Sequence, residues 1–164
     1  MEMIAIATII LVAGMVDDLR SRKVHNALVI SLLVVAAVAS LYFRGVQDSL
    51  PGVGAMVLAL IVTLPLFMTR ILGGGDVKLF SVFALAVDPM TMFWTLVYSF
   101  IWGAFFGVTR AAMQKQLVVL VRNTYRIASR QKSQIQEIQK IPYTFALVLG
   151  WFTQLTLLRA GGLL

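Results

Sequence analysis

Few side chains in this sequence could do chemistry. It has no cysteine and one histidine, His25, so thiolate sites and a histidine cluster for zinc are both excluded. What remains is carboxylates beside apolar runs. Asp17 and Asp18 follow the run from Met3 to Val16, and Asp76 sits in Gly73-Gly74-Gly75-Asp76-Val77-Lys78, between two further apolar runs. An ionisable residue at the edge of a membrane span is expensive and marks a functional site with a partner to be found. Two carboxylates brought close together cannot both ionise cheaply, so they share a proton. The charged member can activate water, and the protonated member can polarise a scissile carbonyl and feed the leaving amine. Such a pair titrates as a unit. This is aspartic protease chemistry, with no metal and no cofactor. The plainer alternative is a linker in which Asp76 caps the next helix and Lys78 marks the cytosolic side. Three adjacent glycines are poor helix formers, at about 1 kcal/mol each against Ala. They also let backbone approach another group closely.

The elements that must position these residues are membrane helices. Of 164 residues, 60% are hydrophobic, and the mean hydropathy is +0.90. A water-soluble domain of this size cannot hide so much apolar surface. The expected fold is an all-α integral membrane protein with about six transmembrane helices, each needing about 20 apolar residues. Residues 1–164 form one transmembrane domain, and the N-terminus lacks the basic region of a cleaved signal peptide. The first span, Met3 to Val16, must continue into Asp17 and Asp18 to cross. The second is Ala27 to Phe43, followed by a polar turn, Arg44 to Gly52, with Pro51. The third is Val53 to Thr69. A glycine-rich break precedes a short fourth span, Val77 to Val87. Non-helical backbone at that depth requires a protein or water cover. Asp88-Pro89 reads as a helix start, and the fifth span is Met90 to Val108, with Trp94 and Trp102 as interface anchors. A basic helix lying on the membrane surface is expected after it, over the apolar run Leu117 to Val121. A solvated stretch with Ile135, Ile138 and Ile141 follows. The last span is Pro142 to Leu158. Gly103, Gly107 and Gly150 read as helix contacts.

Charge placement gives topology. Arg20, Arg22, Lys23, Arg70, Lys78 and the basic residues from Arg110 to Lys140 all follow spans one, three and five. Only Arg44 and Arg159 fall on the other side. The cytosolic segments are therefore about 17–26, 70–78 and 109–141, and both termini face outward. The net charge of +7 is thereby a topology signal: anionic lipid is the neighbour of the basic loop and nucleic acid is not a partner. Parity also places the Asp17/Asp18 doublet and Asp76 on one face, and Asp48 and Asp88 on the other.

Two motifs carry a family resemblance. Gly73-Gly74-Gly75-Asp76 resembles the GxGD motif of intramembrane aspartic proteases. The run from Asp18 through Leu19, Arg20, Ser21, Arg22, Lys23, Val24 and His25 to Asn26 resembles D-L-R-x-R-x-I-P-N, the first-aspartate signature of type IV prepilin peptidases. Ile141-Pro142-Tyr143 is similar to the start of that family's last span. The resemblance covers the whole chain and selects Asp18 over Asp17, implying Asp18 and Asp76 as the catalytic pair and Gly73, Gly74 and Gly75 as the loop supporting Asp76. His25 stands where the family has Pro. Arg20, Arg22 and Lys78 are candidates to orient an acidic substrate residue or tune the aspartates, with positive-inside charge as the plainer role. Asn26 is a candidate to bond near Asp18 or to cap the second helix, and capping is the reading taken here.

The resemblance implies a peptidase of the bacterial inner membrane. It would remove the short basic leader of type IV prepilins or pseudopilins after a Gly, at the cytosolic face, beside the pilus assembly machinery. Lacking cysteines and the extra cytosolic region, the chain is similar to the short Flp/Tad type without N-methyltransferase activity. Three rivals stay open: a preflagellin-type peptidase, a small proton or cation transporter using the same aspartates, and a non-catalytic assembly protein that docks through its basic loop.

Overall fold

The computed structural model describes residues 2–69, 71–113 and 143–161, and these residues form helices and no strand. The helices are α1 (Glu2–Ser21), α2 (Asn26–Met68), α3 (Gly74–Ala86), α4 (Pro89–Met113) and α5 (Tyr143–Ala160). The basic surface helix expected after the fifth span lies outside the described residues. So do Arg70 and the Ile141-Pro142 part of the last-span motif.

Helix α2 is two antiparallel segments joined at one residue. Gly45 adopts φ 77° and ψ 175° inside an otherwise helical run, a region essentially restricted to glycine. The chain reverses there. Ser49 Oγ donates to the Ser40 carbonyl at 3.0 Å, although nine residues of straight helix would separate them by about 13 Å. The expected polar turn over residues 44–52 is thus corrected to a pivot at Gly45. Pro51 lies inside the outgoing segment, six residues past Gly45, where its missing N–H forgoes one ladder bond to the Gln47 carbonyl. The two segments differ in what they bury. The first exposes Ile30, Val34, Val35 and Val38. The second buries a small-residue stripe, Ser49, Gly52, Ala55, Ala59 and Thr63, which suits close helix approach. At Gly52 an added Cβ would strike the Leu85 carbonyl of α3.

Helix α3 is the core. It is 13 residues long, so it spans about 20 Å, short of the roughly 30 Å of a bilayer core. Apart from Lys78, every residue from Val77 to Ala86 is buried. Leu79 fills the space over Gly14 of α1, leaving no room for a side chain there. Phe80 stacks on Phe83, with centroids 5.6 Å apart, and Phe83 meets Trp151 of α5 edge-on at 5.0 Å. Trp151 Nε1 then donates to Thr8 Oγ1 of α1 at 2.8 Å.

Helices α4 and α5 pack as a pair. A Cβ at Gly150 would lie 2.6 Å from the Ser99 amide nitrogen, so the expected helix contact at Gly150 is present. Gly103 faces Tyr143, whereas a Cβ at Gly107 would meet nothing within 4 Å among the described residues. Trp102 Nε1 donates to Thr153 Oγ1 at 2.9 Å, so that indole is tied to α5. Asp88 caps α4 as expected, accepting from the Met90 and Thr91 amides at 3.0 Å. Among the described residues, two helices are long and apolar enough to cross a membrane, Asn26–Met68 and Pro89–Thr109.

Candidate active site

One end of the bundle gathers the C-terminus of α1, the start of α2, the glycine stretch before α3 and the start of α5. Helix α1 runs unbroken through Asp17 and Asp18 to Ser21, placing both carboxylates on its last turn. Arg22 closes the helix with φ 53°, and its amide donates to the Asp18 carbonyl at 2.7 Å. That left-handed closing residue is a familiar helix stop.

The two members of the doublet then part. Asp17 turns to the next loop, where its Oδ2 accepts from the His25 amide at 2.8 Å and Oδ1 lies 3.0 Å from His25 Nδ1. The His25 amide bond, then the ring bond, hold the Asp17 carboxyl below the usual carboxylate range. A proline at this position would have no N–H to give. Asp18 turns inward and accepts from Thr144 Oγ1 of α5 at 2.7 Å.

The glycines hold Asp76 near this group. Gly73 precedes α3 in extended conformation, φ −76° and ψ 150°, while Gly74 and Gly75 begin the helix itself. The expected glycine-rich break therefore ends at Gly73, because Asp76 stabilises the first turn. Its Oδ2 accepts the Gly73 amide at 3.1 Å, one half of a capping box that satisfies a donor the helix leaves open. None of the three glycines has a positive φ. Their requirement is space. A Cβ at Gly73 would lie 2.9 Å from Asp76 Oδ2, and one at Gly75 would lie 3.0 Å from Val24 Cβ. The glycine stretch thus presses against the loop that follows Asp18.

Asp76 is half-buried. Burial, with the nearby charge of Asp18 adding to it, pushes its pKa up to about 6 against the opposing Gly73 amide bond. Lys78 Nζ donates to Asn26 Oδ1 at 2.9 Å, tying α3 to α2. This corrects the capping role for Asn26. The N-cap of α2 is His25, with no side-chain cap bond, and the Asn26 amide is used across helices. Arg20 and Arg22 are exposed and join no ion pair among the described residues. No cluster of three histidine or acidic side chains able to hold a metal occurs among the described residues.

Thr144 escaped the sequence reading. The available signal was its position: a hydroxyl directly after Ile141-Pro142-Tyr143, at the end of the last span that parity assigns to the aspartate face.

Comparison with known proteins gives one match. The model of a family described as the type IV leader peptidase family matches residues 5–108, which hold α1, α2, α3, Asp18 and Asp76. No curated protein and no solved structure matches the chain.

Proposed function

The chain belongs to the type IV leader peptidase family, and from that premise we propose that it is an aspartic endopeptidase of the membrane whose catalytic pair is Asp18 and Asp76. The family is membrane-embedded and acts on type IV prepilins. One observation supports the reading of the site: Asp18 near the end of α1 and Asp76 in the first turn of α3 stand at the same end of the bundle, where Gly75 packs on Val24 of the loop after Asp18.

The roles follow from the surroundings. Asp76 is half-buried and adjoins a second carboxylate, which favours its neutral form. It is the member that holds the shared proton, polarises the scissile carbonyl and then protonates the leaving amine. Asp18 is the base that takes a proton from the attacking water. The glycines before Asp76 leave open backbone beside it, where an extended peptide can lie close. Bonds of an intact helix are shielded by their own hydrogen bonding, so the substrate must enter unwound. The substrate is a Flp-type prepilin or pseudopilin, cut after the Gly that ends its basic leader, at the cytosolic face of the inner membrane. Six segments cross or enter the bilayer, with the two halves of α2 counted separately and both termini outside. No methyl transfer accompanies the cut.

The test is single substitution of each aspartate in the full-length chain, co-expressed with a type IV prepilin. Asp18→Asn and Asp76→Asn should each abolish the size shift of the pilin, with a rate loss of about 10³-fold or more. Cleavage at the wild-type rate by either variant would discard the pair. Ion flux through liposomes carrying the protein, with no pilin product, would favour the transporter instead.

A further inference from the structure

Outside the aspartate pair, one buried hydroxyl has an unusual partner. Thr144 is fully buried, with 0% exposure. Hydroxyls elsewhere in the bundle mostly bond back along their own helix, as Thr8 does to Ile4, Thr63 to Ala59, Thr95 to Thr91 and Thr153 to Leu149. That back-bonding satisfies the hydroxyl locally and reports nothing about function. Thr144 instead crosses from the first turn of α5 to the last turn of α1 and donates to Asp18 Oδ2 at 2.7 Å. The distance is that of a well-formed O–H···O bond.

We propose that Thr144 is a positioning residue of the catalytic pair, and that α5 enters the site through it. This inference rests on the aspartate-pair reading above. Asp18 stands on the last turn of a helix and is half-buried, so its side chain has rotamers to lose. The Thr144 bond occupies Oδ2 and leaves Oδ1 as the oxygen able to take a proton from water. Asp76 is held in a parallel way, through its own Oδ2 by the Gly73 amide. Among the described residues each carboxylate is therefore fixed by one donor on one oxygen, one from a side chain of α5 and the other from the backbone before α3. A hydroxyl is suited to Asp18 because it orients the carboxylate without placing a cation beside it. A cation would stabilise the charge and weaken the base.

The position of Thr144 is itself built. Its neighbour Tyr143 shares a hydrogen bond with Ser99 Oγ of α4 at 2.7 Å, and Phe100 packs on the Tyr143 ring at 5.8 Å. The start of α5 is thus pinned to α4 on one side and to Asp18 on the other.

The experiment compares Thr144→Val, Thr144→Ser, Asp18→Asn and Asp76→Asn in the purified full-length protein, with a type IV prepilin as substrate. Valine keeps the shape and loses the donor; serine keeps the donor and loses a methyl. The expected result for Thr144→Val is a fall in kcat of about 10- to 100-fold with KM changed by less than about 2-fold, the loss of one bond to a charged group. Thr144→Ser should recover kcat to within about 3-fold of wild type. Wild-type kcat in Thr144→Val would overturn the proposal. So would equal loss in the serine and valine variants, which would assign the effect to packing. Activity in the asparagine variants would instead remove the pair itself, whatever Thr144 does.

Discussion

The two ends of the bundle use similar residues differently. At the end opposite the aspartates, polar groups are spent on closing the fold. Arg44 Nη2 donates to the Ala86 carbonyl at the C-terminus of α3 at 2.9 Å, complementing the negative end of that helix. Asp88 gives its Oδ1 to two amides of α4. Gly45 lets α2 double back, and Ser40 and Ser49 bridge the turn. At the aspartate end the carboxylates of Asp18 and Asp76 stand at the same end of the bundle, and no cation pairs with Asp18 or Asp76 among the described residues. Asp17, one residue from Asp18, shows the ordinary structural use of a carboxylate, bonded to the loop at His25. A fold seeking only stability would separate or neutralise two acids in this way. Keeping Asp18 and Asp76 together and uncompensated is what proton sharing requires.

This contrast can be broken most sharply at Gly73. A methyl group there would press on Asp76 Oδ2 at 2.9 Å and displace a reacting group. Gly73→Ala should lower prepilin cleavage by about 100-fold, the scale of an ångström-sized misplacement, while thermal unfolding in detergent moves little. A large stability loss with normal specific activity would show that Gly73 serves the fold alone. The counterpart at the other end is Gly45→Ala. A Cβ there meets nothing within 4 Å, so the penalty is in the backbone at φ 77°. It should destabilise the protein by about 1–3 kcal/mol and leave kcat of the folded fraction unchanged.

A smaller effect sharpens the comparison through pH. The Asp76 pKa is raised in the fold to about 6 from 3.8. Between these values the folded state binds more protons than the unfolded one. The associated stability is therefore full below about pH 4, falls as pH rises through 6, and is flat above it. The change should be on the order of 1–2 kcal/mol, reduced because Asp76 is only half-buried. Asp76→Asn should flatten this slope in thermal unfolding between pH 4 and 7, and Asp18→Asn should shift its midpoint downward. An unchanged slope in Asp76→Asn would locate the titration elsewhere.

How much of this was legible in the sequence depends on the length scale. Counting crossings assigns Asp18 and Asp76 to one face, because parity is a whole-chain property insensitive to local error, and the structure has the end of α1 and the start of α3 at one end of the bundle. The reversal between the second and third segments was legible too, but its place was not. Polar composition pointed to residues 44–52, whereas a single glycine suffices and the helix resumes through Pro51. The glycines were read as a break, and the sequence hid that Asp76 would cap Gly73 and let Gly74 and Gly75 be helical. Asn26 and Thr144 were out of reach for a different reason. Which way a side chain points depends on the rotation of each helix about its axis. Neighbouring helices set that rotation, as with Leu79 against Gly14 and Phe83 against Trp151. His25 was visible as an oddity, but its bonds to Asp17 required the loop geometry.

The encasement of α3 has one more consequence. The element bearing Asp76 rests on aromatic and aliphatic side chains from its neighbours. In a bilayer its depth would be set by the protein's own packing, so on the aspartate-pair reading proposed above a thinner or thicker membrane would move the outer helices and leave the site of cleavage where it is.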